Sequence, residues 1–203
     1  MARVCILDYG SGNVRSVFNL FRAVCEHVII SNLVVDIATA THLVLPGVGA
    51  FGAAMRRIGD TIPIAALRRQ VLENGKPFLG ICVGMQVLAD RGREFGDFEG
   101  LGWIPGEVDK LDASRERLPH VGWNDIRVQQ RSRLLEGLGS GTDFYYLHSF
   151  ALRCADPSKV LATTYYGEEF CCAVQSGNIF GVQFHPEKSQ HAGRRLVENF
   201  LNI

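Results

Sequence analysis

A chain of 203 residues with 47% hydrophobic side chains and 22 glycines has the length of one sizeable domain and the composition of a turn-rich α/β protein. Its 21 Lys and Arg balance 21 Asp and Glu, and no basic stripe interleaved with aromatics occurs, so the electrostatic footprint of a nucleic-acid binder is missing. No apolar run reaches the ~18 residues of a membrane helix, and MARVCILD enters a strand-like run without signal-peptide order, so a cytoplasmic location is expected.

The first half alternates β-rich runs with helical patterns, which predicts a parallel sheet covered on both faces. RVCILD (3–8) reads as a buried strand, and 12–24 as a helix with Val14, Val17, Phe18, Phe21 and Val24 on one face. HVIISN and HLVLPG are further strands. A helix is predicted over 62–74, where Ile62, Ala65, Ala66, Leu67 and Val71 recur at helical spacing before Gly75. PFLGI (77–81) then reads as a central strand. From Gly106 onward the runs GEVDKL, LPHVGWNDIRV, DFYYLHSFAL, KVLATTYYG, FCCAVQSG and IFGVQF follow one another closely, which predicts antiparallel strands before a last amphipathic helix. The expected architecture is α/β: one domain over 1–203 with a mixed, mainly parallel sheet, helices on both faces and an antiparallel extension.

Cys82 is the most pointed feature. Strand, Gly80-Ile81-Cys82-Val83-Gly84, then helix is the plan of a nucleophile elbow with sulfur in place of oxygen. Flanking side chains would collide in so sharp a turn, and a helix starting near Val83 would favour the thiolate. The same letters also fit a buried cysteine at a strand end. A thiolate nucleophile needs a base, and among six histidines His185 stands apart. In GVQFHPEKS it closes a β-run and is held extended by Pro186, while Glu187 can turn back to accept the ring N–H and fix the tautomer. The alternative is a strand-end turn with a surface carboxylate. Cys82, His185 and Glu187 form a candidate triad. The other five cysteines read as small buried hydrophobes, and scattered histidines with unpaired cysteines argue against a metal site.

With both motifs in hand, the chain resembles the class I, triad-type glutamine amidotransferases, and within them the glutaminase subunits of imidazole glycerol phosphate synthase. The resemblance runs through DYGSGN (8–13), LPGVGAFG (45–52), GICVGMQ (80–86), GLGWIPGEV (100–108), PHVGWN (119–124), FYYLHSF (144–150) and FGVQFHPEKS (180–189). It implies a three-layer, flavodoxin-like fold and hydrolysis of L-glutamine through a Cys82 thioester, with no cofactor. It also implies oxyanion donors from Val83 and from Val48 or Gly49 of PGVG, whose glycines permit a peptide to flip between donor-out and donor-in states. Gln86 and the edge formed by His148, Ser149 and Phe150 would hold the substrate, although His148 could equally be structural. His120, Trp123 and Asn124 of HVGWN would face a partner, or form a strand with a packed tryptophan; Lys188 would touch that partner or stay solvated.

No segment resembles a synthase, so released ammonia requires another chain. The resemblance implies a heterodimer with a (β/α)₈-barrel cyclase. One stretch departs from the pattern: ADRGREFGDFEGLGW (89–103) resembles paralogues that serve an amidotransferase in surface-polysaccharide sugar synthesis. The ammonia acceptor is therefore either an imidazole precursor or an activated N-acetyl sugar. A cysteine peptidase or deglycase-like hydrolase, and a regulatory subunit with a dead site, are the readings from other classes.

Overall fold

Strand β1 (Arg3–Ile6) is followed by α1 (Val14–Arg22), β2 (His27–Ile30), α2 (Val34–Thr39) and β3 (His42–Gly47). Then come α3 (Phe51–Thr61), α4 (Ile64–Arg68), β4 (Phe78–Cys82) and the single turn α5 (Val83–Gln86). The computed structural model describes residues 1–112 and 116–203. The second half carries β5 (Arg91–Gly92), β6 (Phe98–Glu99), β7 (Gly106–Lys110), β8 (His120–Asp125), β9 (Arg127–Val128) and β10 (Asp143–His148). It ends with β11 (Phe150–Cys154), β12 (Val160–Tyr166), β13 (Glu168–Ser176), β14 (Ile179–Val182) and α6 (Gln190–Leu201).

The central sheet has the order β2-β1-β3-β4-β14-β13-β12-β9. Its first five strands are parallel and the remaining pairings antiparallel, which is the mixed sheet with an antiparallel extension that the sequence predicts. The chain moves one way from β1 to β2 and the other way from β2 to β3. Right-handed crossovers then put α1 and α2 on opposite faces, completing three layers. Phe21 of α1 meets Phe200 of α6 edge-on, with ring centroids 6.3 Å apart, while α2 packs with α4 on the other face. Val14, Val17 and Phe21 are the buried stripe of α1, as their helical spacing requires.

Several elements differ from the expectation. The run 143–152 is two strands, not one, because β10 pairs with β8 while β11 pairs with β7, and the chain changes sheets at Ser149. The run 118–128 breaks in the same way at Ile126 between β8 and β9. The helix predicted over 62–74 begins at Ile64 and continues past α4 as a wider π turn over Arg69–Glu73. Helices α2 and α3 were not predicted. Of the five cysteines read as core, Cys5, Cys171 and Cys172 are buried, whereas Cys25 and Cys154 are only partly covered.

The parallel strands bring their carboxyl ends to one rim, where an open α/β sheet holds its ligands beside the point of reversal. The loop after β1, the end of β3, Cys82 at the end of β4, and His185 just beyond β14 all lie there. Gly47 stands opposite Cys82 in the β3–β4 register, and Gly181 opposite Gly80 between β14 and β4.

Candidate active site

Cys82 closes β4 with φ 55° and ψ −113° and passes directly into α5. A non-glycine residue in that region of backbone space is strained by ~1–3 kcal/mol and persists only where its surroundings enforce it. The enforcement is visible in two glycines. A Cβ on Gly84 would lie 1.8 Å from the Leu45 carbonyl oxygen, and one on Gly80 would lie 2.3 Å from the Gly84 carbonyl oxygen. These obstacles are backbone atoms of the sheet and the turn, so neither glycine accepts a side chain. The elbow predicted from the sequence is therefore present, but α5 is one turn of four residues, so few aligned peptide dipoles stand behind the sulfur.

His185 reaches the sulfur from beyond β14. Its extended backbone (φ −102°, ψ 95°) precedes Pro186, its N–H donates to the Tyr145 carbonyl at 2.8 Å, and its own carbonyl accepts from Ser189 Oγ at 2.6 Å. The ring Nδ1 donates to Glu187 Oε1 at 2.8 Å, and both side chains are essentially inaccessible to solvent. That bond assigns the tautomer and leaves Nε2, buried and otherwise without a partner, for the Cys82 sulfur. Burial alone would lower the imidazole pKa. The interactions with the Cys82 sulfur and with the Glu187 carboxylate override it and raise the pKa to about 10. Burial pushes the Glu187 carboxyl up, yet the hydrogen bonds from His185 and from Asn13 Nδ2 (2.9 Å) hold it below the ordinary value. The three residues of the candidate triad come together as predicted, with Asn13 as an unforeseen fourth member.

A cavity of about 110 Å³ opens beside the sulfur. Val48 and Gly49 line it from the end of β3, Cys82, Val83 and Gln86 from the elbow, and His148, Ser149 and Phe150 from the β10–β11 joint. All the expected oxyanion and substrate-binding residues thus share one cavity. Gly49 has φ +103°, a conformation that L side chains rarely adopt. Gln86 Nε2 is committed to the Phe150 carbonyl (2.8 Å) and to Gln183 Oε1 (3.0 Å), so it braces the edge of the cavity. Gln183 Nε2 in turn lies 3.7 Å from Cys82 Sγ.

Two lining residues, Glu94 and Leu147, were not anticipated. Glu94 comes from the departing 89–103 stretch and accepts from the Phe51 N–H at 2.8 Å, with burial pushing its carboxyl pKa up. The signal that could have found it is an acidic residue within the loop that leads out of the elbow. Tyr9, also unforeseen, is buried with its hydroxyl against Gly47 and the Val48 backbone.

Residues 5–203 match the sequence profile of the family described as Glutamine amidotransferase class-I. The chain belongs to that family. It is 41% identical over 201 residues to imidazole glycerol phosphate synthase subunit HisH 1 of Campylobacter jejuni (strain RM1221), covering 98% of this chain and 100% of the relative. To subunit HisH of Aquifex aeolicus (strain VF5) it is 44% identical over 199 residues, covering 98% and 95%. Among solved structures, PurLQS from Thermotoga maritima superposes with a TM-score of 0.74 at 19% identity, over 100% of this chain and 99% of the other, a likeness of fold.

In this amidotransferase the residues expected to face a partner divide into two groups. Trp123 is 49% exposed on β8, and across the β8–β10 register Val121 pairs with Leu147 and Trp123 with Tyr145. Lys188 is exposed, with Nζ 5.2 Å from the Tyr145 ring centre. This strip is apolar and continuous with the cavity through Leu147. Asn124 differs: its side-chain amide turns inward to donate to the Tyr165 carbonyl at 2.9 Å and lies 3.4 Å from His120 Nε2. His120 is buried, not surface, because its ring stacks between Tyr146 and Tyr166 with centroids 4.9 and 4.0 Å away.

Proposed function

We propose that this chain is the glutaminase subunit of an imidazole glycerol phosphate synthase, hydrolysing L-glutamine and passing ammonia to a cyclase partner in histidine biosynthesis. The observation that carries the reading is the buried triad: an elbow cysteine beside a histidine whose tautomer is fixed by a carboxylate, at the mouth of a cavity sized for a small substrate. Full-length likeness to HisH subunits supports the histidine pathway over sugar amidation.

Cys82 Sγ attacks the side-chain amide carbon of glutamine with its proton already held on His185 Nε2, as the raised pKa of that imidazole favours. The tetrahedral oxyanion is met by backbone N–H groups of Val83 and of Val48 or Gly49. His185 then returns the proton to the departing nitrogen, releasing ammonia and leaving a glutamyl thioester. Water, deprotonated by His185, cleaves the thioester to glutamate and restores the thiol. Glu187 keeps the imidazole in its working tautomer throughout. The α-ammonium of the substrate pairs with Glu94, whose carboxylate lines the same cavity, and the backbone of His148, Ser149 and Phe150 meets the rest of the amino-acid head.

The partner is a (β/α)₈-barrel cyclase, forming a cytoplasmic heterodimer over the strip of Val121, Trp123, Leu147 and Lys188. Ammonia leaves past Leu147, whose carbonyl lies 4.0 Å from the Cys82 sulfur. The test is glutamine hydrolysis by the purified chain, alone and mixed with a histidine-pathway cyclase subunit and its nucleotide ligand, with Cys82→Ala as control. A slow basal rate that rises many-fold on mixing is expected. Absence of both stimulation and complex would overturn the histidine assignment and make an activated N-acetyl sugar the acceptor to test.

A further inference from the structure

Behind the β10–β11 joint lie two buried imidazoles that the hydrolytic steps do not use. We propose that His120 and His148 are positioning residues for the glutamine cavity, linked in a one-directional hydrogen-bond relay from Asn124 on β8 to the Phe150 carbonyl that Gln86 also grips. The proposal rests on the glutaminase reading of the cavity and adds a connection between that cavity and the strand bearing the exposed Trp123.

The direction of the relay follows from donor and acceptor chemistry. A carbonyl oxygen only accepts, so the 2.9 Å contact of His148 Nδ1 with the Phe150 carbonyl puts a hydrogen on Nδ1. In a neutral ring Nε2 is then an acceptor, and it faces His120 Nδ1 at 3.2 Å, which must donate. That choice makes His120 Nε2 an acceptor, and the group opposite it at 3.4 Å is the Asn124 side-chain amide. The amide orientation is independently set, since the same Nδ2 donates to the Tyr165 carbonyl at 2.9 Å while Oδ1 accepts from the Asp125 N–H at 3.0 Å. Each ring nitrogen thus has one role. A proton added to either ring would set two donors face to face.

The surroundings hold the rings in that state. His120 is clamped between the Tyr146 and Tyr166 rings, and His148 packs edge-on to Phe170 at 5.0 Å. Burial lowers the pKa of His120 to about 4 and of His148 to about 3, keeping both neutral. At the far end, the Phe150 carbonyl takes its second bond from Gln86 Nε2 at 2.8 Å, and Gln86 continues to Gln183, which touches the Cys82 sulfur. A displacement of Asn124 therefore reaches the Phe150 carbonyl at the glutamine edge through three hydrogen bonds. Asn124 follows Trp123 in β8, so a partner docking on that strand has a route to it.

Nitrogen NMR of histidine-labelled wild-type protein at neutral pH tests the relay without any variant. Protonated Nδ1 and bare Nε2 are expected on both rings. A cationic ring, or a protonated Nε2 on His148, overturns the proposal. His120→Phe then retains an aromatic ring between the two tyrosines and removes the donor to His148. Losing one hydrogen bond of this kind predicts a rise in KM for glutamine of about five- to tenfold, with kcat within about twofold, and loss of the single His148 tautomer. An unchanged KM together with an unchanged His148 tautomer contradicts the relay. Wild-type protein that hydrolyses no glutamine, alone or with the cyclase subunit, overturns the glutaminase reading instead, and the tautomer measurement still decides the relay.

Discussion

Asn13 and Glu187 lie 174 residues apart in the chain and are joined by a 2.9 Å hydrogen bond. The Asn13 amide donates to the same Glu187 oxygen that accepts from His185, so the loop after β1 fixes the carboxylate that fixes the base. Hydrogen bonds to a charged group contribute about 1.5–3 kcal/mol. Asn13→Ala is therefore expected to lower kcat for glutamine by about tenfold with KM nearly unchanged, because the carboxylate is freed while the cavity is not touched. Steady-state kinetics separates the two parameters.

The elbow should fail through backbone collision before it fails through chemistry. A methyl group on Gly84 meets the Leu45 carbonyl oxygen at 1.8 Å, and a carbonyl in a central strand cannot retreat as a flexible side chain would. Gly84→Ala is expected to destabilise the fold by about 3 kcal/mol, at the upper end for overpacking, and to abolish activity together with it. Denaturant unfolding of the variant measures this directly.

Stability should respond to pH in opposite senses at the two histidine sites. His120 and His148 have folded pKa values of about 4 and about 3, below the ordinary 6.5, so the unfolded chain binds more protons and stability falls as pH drops below 6.5. His120→Phe should make that acid decline shallower between pH 6.5 and 4. His185 has a folded value raised to about 10, so its contribution is complete below 6.5 and is lost as pH rises through 10. Glu187 is held below its ordinary 4.5, so its contribution is present above that value and is lost on acidification through its depressed folded value. Glu187→Gln removes one cause of the raised imidazole and should flatten the alkaline decline. Denaturation midpoints across pH 4–10 give both slopes.

Much of this site was legible where its chemistry is written in contiguous residues. G-x-C-x-G and H-P-E each carry a turn and its reactive group within five letters, so Cys82, His185 and Glu187 could be named before any coordinates. Asn13, Glu94 and Gln183 could not, because their roles arise from contacts between segments far apart in the chain. Helix α3 escaped notice because its buried face includes Gly52 and Ala54 between Phe51 and Ile58, and α2 because Val34 and Val35 face solvent. The breaks at Ser149 and Ile126 are changes of sheet partner within unbroken β patterns, and strand pairing is not a local property. His120 was read with the exposed residues of its motif, yet alternation along β8 turns it inward while Trp123 faces out.

Glu94 supplies the negative charge among the residues that line the cavity. Glu94→Gln keeps the shape and an acceptor for the Phe51 N–H while removing that charge. KM for glutamine should rise about tenfold or more with kcat little changed, and a glutamine analogue lacking the α-ammonium should lose its disadvantage against the variant. A variant with wild-type KM would assign Glu94 to the capping of α3 alone.

Covalent capture reads out whether Cys82 is the nucleophile of a glutamine amidase. An electrophilic glutamine analogue is incubated with the protein in the presence of its cyclase partner, and the adduct is located by peptide mass spectrometry among the six cysteines. One adduct is expected, on Cys82, suppressed by excess glutamine and absent from Cys82→Ala. No adduct, or labelling spread over the partly exposed Cys25 and Cys154 and indifferent to glutamine, would contradict it.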